Sequence, residues 1–223
     1  MKRNLMDGKS RPDEHTMLLL HFDGSLRDEV TGKYCTNHNA TFSDGGKYGK
    51  ALDVNNGGYV SLEGLSNYYP GNSDFTVDFW IKVRGNNSYY PAIFGSNYRS
   101  DNGFLILTRH KDDNPNSWWI ASTTPEAEVF NKAIKSTTLS ANNTDTHFAM
   151  TRKNGTFYLW LNGILNATKV SYFNITCPIN KMTIGNFIVD NASWSNALIS
   201  EFRVSNIARW TSDFTPPIKP FDL

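Results

Sequence analysis

Charge is scarce in this sequence, and sulfur scarcer. Only 19% of the 223 residues are Asp, Glu, Lys or Arg, and the formal net charge at pH 7 is +1. A balance so close to neutral gives no electrostatic footprint for a phosphate backbone, so no nucleic-acid partner is expected. The two cysteines, Cys35 and Cys177, stand far apart and form no CxxC pair, which argues against thiol-based metal or redox chemistry. Two readings of them stay open, one disulfide or two separate thiols. Long apolar runs are missing too. Met17-Leu18-Leu19-Leu20 is too short for a signal-peptide core or a membrane span, and no membrane insertion is expected. The five histidines (15, 21, 38, 110 and 147) show neither metal-ligand nor triad spacing. His147 is expected to cap a strand edge.

What is abundant is material for strands and turns. Hydrophobic residues make up 39% and aromatics 13%, and there are 25 Asn beside much Ser, Thr and Gly. Asn-x-Ser/Thr sequons, at Asn39, Asn154, Asn174 and Asn191 among others, are what chance gives in so Asn-rich a chain. Residues 1–16 are polar and without periodicity, and read as a flexible arm that could dock the chain onto a larger assembly. Residues 17–223 show no linker and no internal repeat, so they read as one domain, a length that all-β sandwiches often reach.

Phe75-Thr76-Val77-Asp78-Phe79-Trp80-Ile81-Lys82-Val83 alternates apolar and polar residues, the pattern of a half-buried strand. His147–Arg152 and Thr156–Leu161 face each other across Lys153-Asn154-Gly155, and Asn162-Gly163 turns the chain again into Ile164–Val170. Asn-Gly between apolar runs favours a type I′ hairpin, because both residues accept positive φ. The two turns predict a three-stranded meander. Further strands are expected at Met17–Phe22, Tyr59–Leu62, Phe104–Arg109, Trp118–Ser122, Met182–Ile184 and Ile199–Ser205. Thr124-Pro125-Glu126, with an N-cap residue and a first-turn proline, points to a short helix near 125–135. Thr215-Pro216-Pro217 and Lys219-Pro220 lay the C-terminus down as an extended tail. The fold class expected is all-β, a two-sheet antiparallel β-sandwich.

Several segments resemble laminin-G-like, concanavalin-A-like jelly-roll domains, and they do so in that family's order. Leu18-Leu19-Leu20-His21-Phe22-Asp23-Gly24-Ser25 is similar to the opening strand, and Tyr48-Gly49-Lys50-Ala51-Leu52 with Gly58-Tyr59-Val60 to the next. Asp74–Ile81, the meander over His147–Gly163, and Ile184-Gly185 with Ile199–Ser205 match the later ones. Ala208-Arg209-Trp210-Thr211, then Phe214-Thr215-Pro216-Pro217 and Pro220-Phe221, resembles the ending of bacteriophage-associated and bacterial surface versions. The resemblance implies a module that binds a surface. Its expected place is the virion surface of a phage or, alternatively, a bacterial cell surface. Expected partners are a cell-surface glycan or polysaccharide and, through the N-terminal arm, other virion proteins. A purely structural virion protein that contacts neighbouring subunits is the alternative, and a glycan-active hydrolase is the third reading.

Related glucanases set carboxylates at alternating strand positions. Here Asp74 and Asp78 stand four apart and Glu126 and Glu128 two apart, with no third partner, so no enzyme is expected. Ser43-Asp44-Gly45-Gly46 resembles part of a sialidase Asp-box without its aromatic residue. The resemblance also implies calcium as the candidate cofactor, held by Asp23, Asp28 and Glu201. Against that, Asp23 and Asp28 can serve as turn residues, and Glu201 can pair with Arg203 or Arg27. Sugar binding needs an aromatic platform with planar polar partners. Tyr89, Tyr90 and Tyr98 with Asn97 form the best loop patch. Trp118 and Trp119 follow each other in a strand, so one should face out. Aromatics that fill the core or bury a subunit contact are the competing reading.

Overall fold

The structure, a computed structural model, describes residues 13–64, 71–85, 91–96, 103–107, 117–123, 134–139, 142–171, 174–175, 181–186 and 195–222. Fifteen strands cross these residues. They are β1 (Thr16–Leu20), β2 (Thr36–His38), β3 (Thr41–Gly46), β4 (Gly49–Val54), β5 (Tyr59–Glu63), β6 (Phe75–Val83), β7 (Ala92–Ser96) and β8 (Gly103–Leu107). There follow β9 (Ser117–Thr123), β10 (Ile134–Leu139), β11 (Asp145–Lys153), β12 (Thr156–Leu161), β13 (Ile164–Val170), β14 (Lys181–Ile184) and β15 (Ala197–Ser205). No helix occurs among the described residues. Of the helix expected near 125–135, Ile134 and Lys135 instead open β10, where Ile134 is buried opposite Ile120. The rest of that stretch up to residue 133 lies outside the described residues.

The strands form two antiparallel sheets. One runs β13-β12-β11-β6-β15-β4-β3 with β1 also paired to β15, and the other runs β10-β9-β8-β7-β14-β5-β2. Alternation decides what lies between them. Val77, Phe79 and Ile81 of β6, Phe148 and Met150 of β11 and Val204 of β15 meet Val60, Phe94, Ile106, Trp118 and Ile184 of the opposite sheet in one core. Phe79 stacks on Phe148 at 5.0 Å and on Phe202 at 5.5 Å. The meander forms as expected, with Asn154, Gly155, Asn162 and Gly163 all at positive φ.

β15 is the pivot of the larger sheet. One side pairs with β6. On the other, Ala197–Ile199 pair with β4 and Phe202–Ser205 with β1. Where the partner changes, the register shifts and Glu201 takes a φ of +54°, the mark of a β-bulge. At the far end of this sheet one rung joins Thr16, Ser205, Thr76, Thr151, Tyr158 and Thr168 across six strands.

The outer face of β6 departs from the half-buried pattern. Thr76, Asp78 and Trp80 are all buried, because residues 207–221 cross that face as a roof. Thr76 Oγ1 donates to the Ile207 carbonyl at 2.8 Å and accepts from Arg209 N at 3.0 Å. Phe214 N donates to Gly163 O, and Tyr48 donates its hydroxyl proton to Pro217 O. Residues 13–16 also belong to this framework: Asp13 pairs with Arg209 at 2.8 Å, and Asn206 N bonds to His15 O.

Candidate functional site

Several of the residues expected to bind sugar, Tyr89, Tyr90, Asn97 and Tyr98, lie outside the described residues. Trp118 does not serve as a platform. It is 1% exposed and packs on Phe148 at 5.0 Å, because the parity of β9 sends Trp118 and Ile120 to the core. Trp119 stands between them, opposite Leu107 and Lys135.

The three residues considered for calcium occupy separate environments. Asp28 is buried and accepts from the backbone of Leu19, Val30 and Thr31 and from the Thr31 hydroxyl, so it shapes the turn after β1. Asp23 is exposed. Glu201 lies buried in the β15 bulge, where its carboxylate takes His21 Nδ1 at 2.9 Å and Phe221 N at 2.8 Å. Its partners are therefore neither Arg203 nor Arg27. Hydrogen bonding to Glu201 raises the pKa of His21 against the opposing effect of burial, and the charges of Glu201, Asp23 and Glu29 raise it further. Among the described residues, no group of three or more His, Cys, Asp or Glu is placed to hold a metal ion.

Asp78, on the outer face of β6, is a second carboxylate here, and it is fully buried. Arg203 holds it with two hydrogen bonds, at 3.0 and 2.8 Å, and His147 Nε2 lies 3.4 Å away. Burial pushes the Asp78 carboxyl up, but Arg203 and His147 outweigh it and hold the pKa below the usual range. His147 is not at a strand edge. It sits in mid-sheet among the rings of Trp80, Trp210, Phe214 and Phe221. Its ring nitrogens, with Nε1 of Trp80 and of Trp160, make no hydrogen bond among the described residues. Neither Asp78 nor Glu201 is open to a substrate here, and each already has a fixed partner. This face is closed.

An open cleft lies at the end of the sheet, beside the β11–β12 turn. Its volume is about 490 Å³, and it is lined by Asn72, Ser73, Asp74, Arg152, Asn154, Gly155 and Ser171. Three separated segments build it, and one buried guanidinium fixes them. Arg152 donates from Nε to Ser73 O at 2.9 Å and from Nη2 to the carbonyls of Gly71 and Ser73. Burial lowers the Arg152 pKa to about 10, with the Asp74 charge opposing. Asp74 accepts from Lys153 Nζ at 2.7 Å and Asn154 N at 2.8 Å. Partial burial would raise its pKa, but those partners together lower it. Ser171 N closes the rim on Gly155 O. The side chains of Asn72, Ser73, Asn154 and Ser171 make no hydrogen bond to the described chain, so their polar atoms are available. Sequence reasoning missed this cleft. The Asn154-Gly155 turn and Asp74 were visible in it, but only as a hairpin and as an isolated carboxylate.

Residues 54–213 match the family model described as the concanavalin A-like lectin/glucanases superfamily. The chain belongs to the concanavalin A-like lectin/glucanases superfamily. Within that superfamily, its fold is similar to domain 4 of AbnA, an extracellular arabinanase from Geobacillus stearothermophilus, solved in complex with arabinotriose. That likeness has a TM-score of 0.68 at 19% identity, over 87% of this chain and 93% of the other. The botulinum neurotoxin serotype G binding domain matches with a TM-score of 0.61 at 16% identity, over 86% of this chain and 48% of that one. A Trypanosoma rangeli sialidase matches with a TM-score of 0.61 at 13% identity, over 88% and 31%. The chain thus spans about half of the toxin domain and a third of the sialidase. Comparison with curated protein sequences finds no match. At these identities the solved structures establish the sandwich fold of this superfamily member and nothing finer.

Proposed function

We propose that the chain is a non-catalytic carbohydrate-binding module displayed on a surface, that of a bacteriophage virion or of a bacterial cell, with the part of the N-terminal arm that precedes residue 13 joining it to other virion proteins. The observation that carries the binding reading is the open polar cleft on a lectin-type sandwich. Uncharged amides and hydroxyls on a rigid frame are what sugar hydroxyls require, since each needs a paired donor and acceptor. The burial of Asp78 and Glu201 in fixed pairs supports a non-catalytic role, because a glycosidase needs two accessible carboxyl groups flanking the bond it cuts. Tyr89, Tyr90, Tyr98, Asn97 and Trp119 are proposed as further sugar contacts, with calcium as the proposed cofactor. The bacteriophage setting rests on the resemblance of the Ala208–Phe221 ending.

The test is a glycan array that includes arabinan oligosaccharides and sialylated glycans, probed in calcium and again in chelator, with each bound glycan then assayed for cleavage. Binding without cleavage is the expected result. Cleavage abolished by substituting a carboxylate would make the chain a hydrolase. Absence of any binding would favour a structural role, for which exposed Ile164, Val170 and Ile218 supply apolar contact points.

A further inference from the structure

We infer that the cleft between residues 71–74 and the β11–β12 turn takes a neutral, hydroxyl-rich saccharide and discriminates against acidic sugars. This rests on the carbohydrate-binding reading and adds both the place and the ligand class. The groups with hydrogen-bonding capacity to spare decide the class. Asn72, Ser73, Asn154 and Ser171 offer two amides and two hydroxyls, all uncharged, each able to donate and accept. The charged groups are already engaged. Lys153 is bound to Asp74. The Arg152 guanidinium, 1% exposed, is turned into the carbonyls of Gly71 and Ser73 beneath the floor. That leaves Asp74 as the charge an incoming ligand meets. With two donors on its two oxygens, it retains capacity to accept from sugar hydroxyls. A uronate or sialate carboxylate would instead meet that carboxylate at close range, and among the described residues lining the cleft the one cation, Arg152, is turned away beneath the floor.

The frame supports a preformed site. Gly71 O receives Ile175 N at 3.0 Å as well as Arg152, and Asp74 clamps the hairpin turn through the Asn154 amide. The volume lies in the lower part of the range of small-ligand sites, about 300–1,000 Å³, enough for one or two sugar rings.

The experiment uses the full chain with methyl glycosides of neutral pentoses and hexoses, and beside them hexuronate and sialate glycosides, read by saturation-transfer NMR. Two variants accompany the wild type. Asn72→Ala with Asn154→Gly removes both amides while glycine keeps the positive φ of the turn, and Ser171→Tyr fills the cleft. Binding of neutral glycosides, weakened about tenfold in the first variant and abolished in the second with the thermal midpoint retained, is the expected result. Undiminished binding in both variants overturns the placement and leaves the carbohydrate-binding reading standing. Binding confined to the acidic glycosides overturns the ligand class. A wild-type chain that binds nothing here or on the array overturns the functional reading, and this inference with it.

Discussion

Gly163 carries more of the fold than its size suggests. It has a φ of +78°, and a Cβ placed there would fall well inside contact distance of the Phe214 carbonyl. Gly163→Ala therefore strains the turn and displaces the roof together. We expect a loss of about 2 kcal/mol or more in urea unfolding, with faster proteolysis after residue 207. Cys35 makes a second test at this scale. It is a buried free thiol whose pKa burial pushes up to about 12, with the charge of Asp28 adding to the shift. Alkylation of Cys35, located by mass spectrometry, should track global unfolding, because the thiolate is the reactive form. Rapid labelling of the native chain would contradict the burial. Single residues were unequally legible in the sequence. The Asn-Gly turns could be read because the chemistry of positive φ is local. The inward direction of Trp118 could not, because alternation fixes only that Trp118 and Trp119 oppose each other.

Among elements, the roof and the β15 bulge form one latch, with Glu201 at its centre. Glu201→Ala would leave Phe221 N and the His21 ring without their acceptor, at a cost of about 2–3 kcal/mol. Hydrogen exchange should show residues 207–221 opening before the core does. The latch also depends on pH. His21 has a folded pKa raised above its ordinary 6.5, so its contribution is complete below about that pH and fades as pH rises through the folded value. An NMR titration should place His21 above 6.5, and Glu201→Gln should lower it. The meander was legible because both its period and its turns are local. The roof was not. Thr76, Asp78 and Lys82 on one side of β6 have the composition of a wetted face, and a buried ion pair such as Asp78–Arg203 reads in sequence as a solvated one.

For the whole molecule, four aspartates set the acid limit. Asp13, Asp53, Asp74 and Asp78 all have pKa values lowered from 3.8, each because its donors outweigh burial. Depressed carboxylates contribute stability above their unfolded pKa and lose it as pH falls through the lower folded values. The urea midpoint should therefore hold through neutral pH and fall steeply below about pH 4. A midpoint independent of pH down to 3 would contradict these pairings. The two-sheet architecture was legible in the order of the strand motifs. The cleft was not, because Asn72, Asn154 and Ser171 come from three distant segments that meet only when β6, β11 and β13 lie in one sheet.

The position of β15 also dictates the order in which this domain can assemble. β1 finds its partner only when a segment some 180 residues further on becomes available, the separation between His21 and Glu201. During synthesis the ribosome must release nearly the whole sandwich before the middle of the larger sheet can close. Until then β1, β4 and β6 each wait with an unpaired edge toward the gap. Contacts so distant in sequence make folding slow and leave those edges open to wrong pairing. A chain ending before residue 197 lacks the central strand between β6 and β4, and accumulates as unpaired edges rather than as a smaller domain.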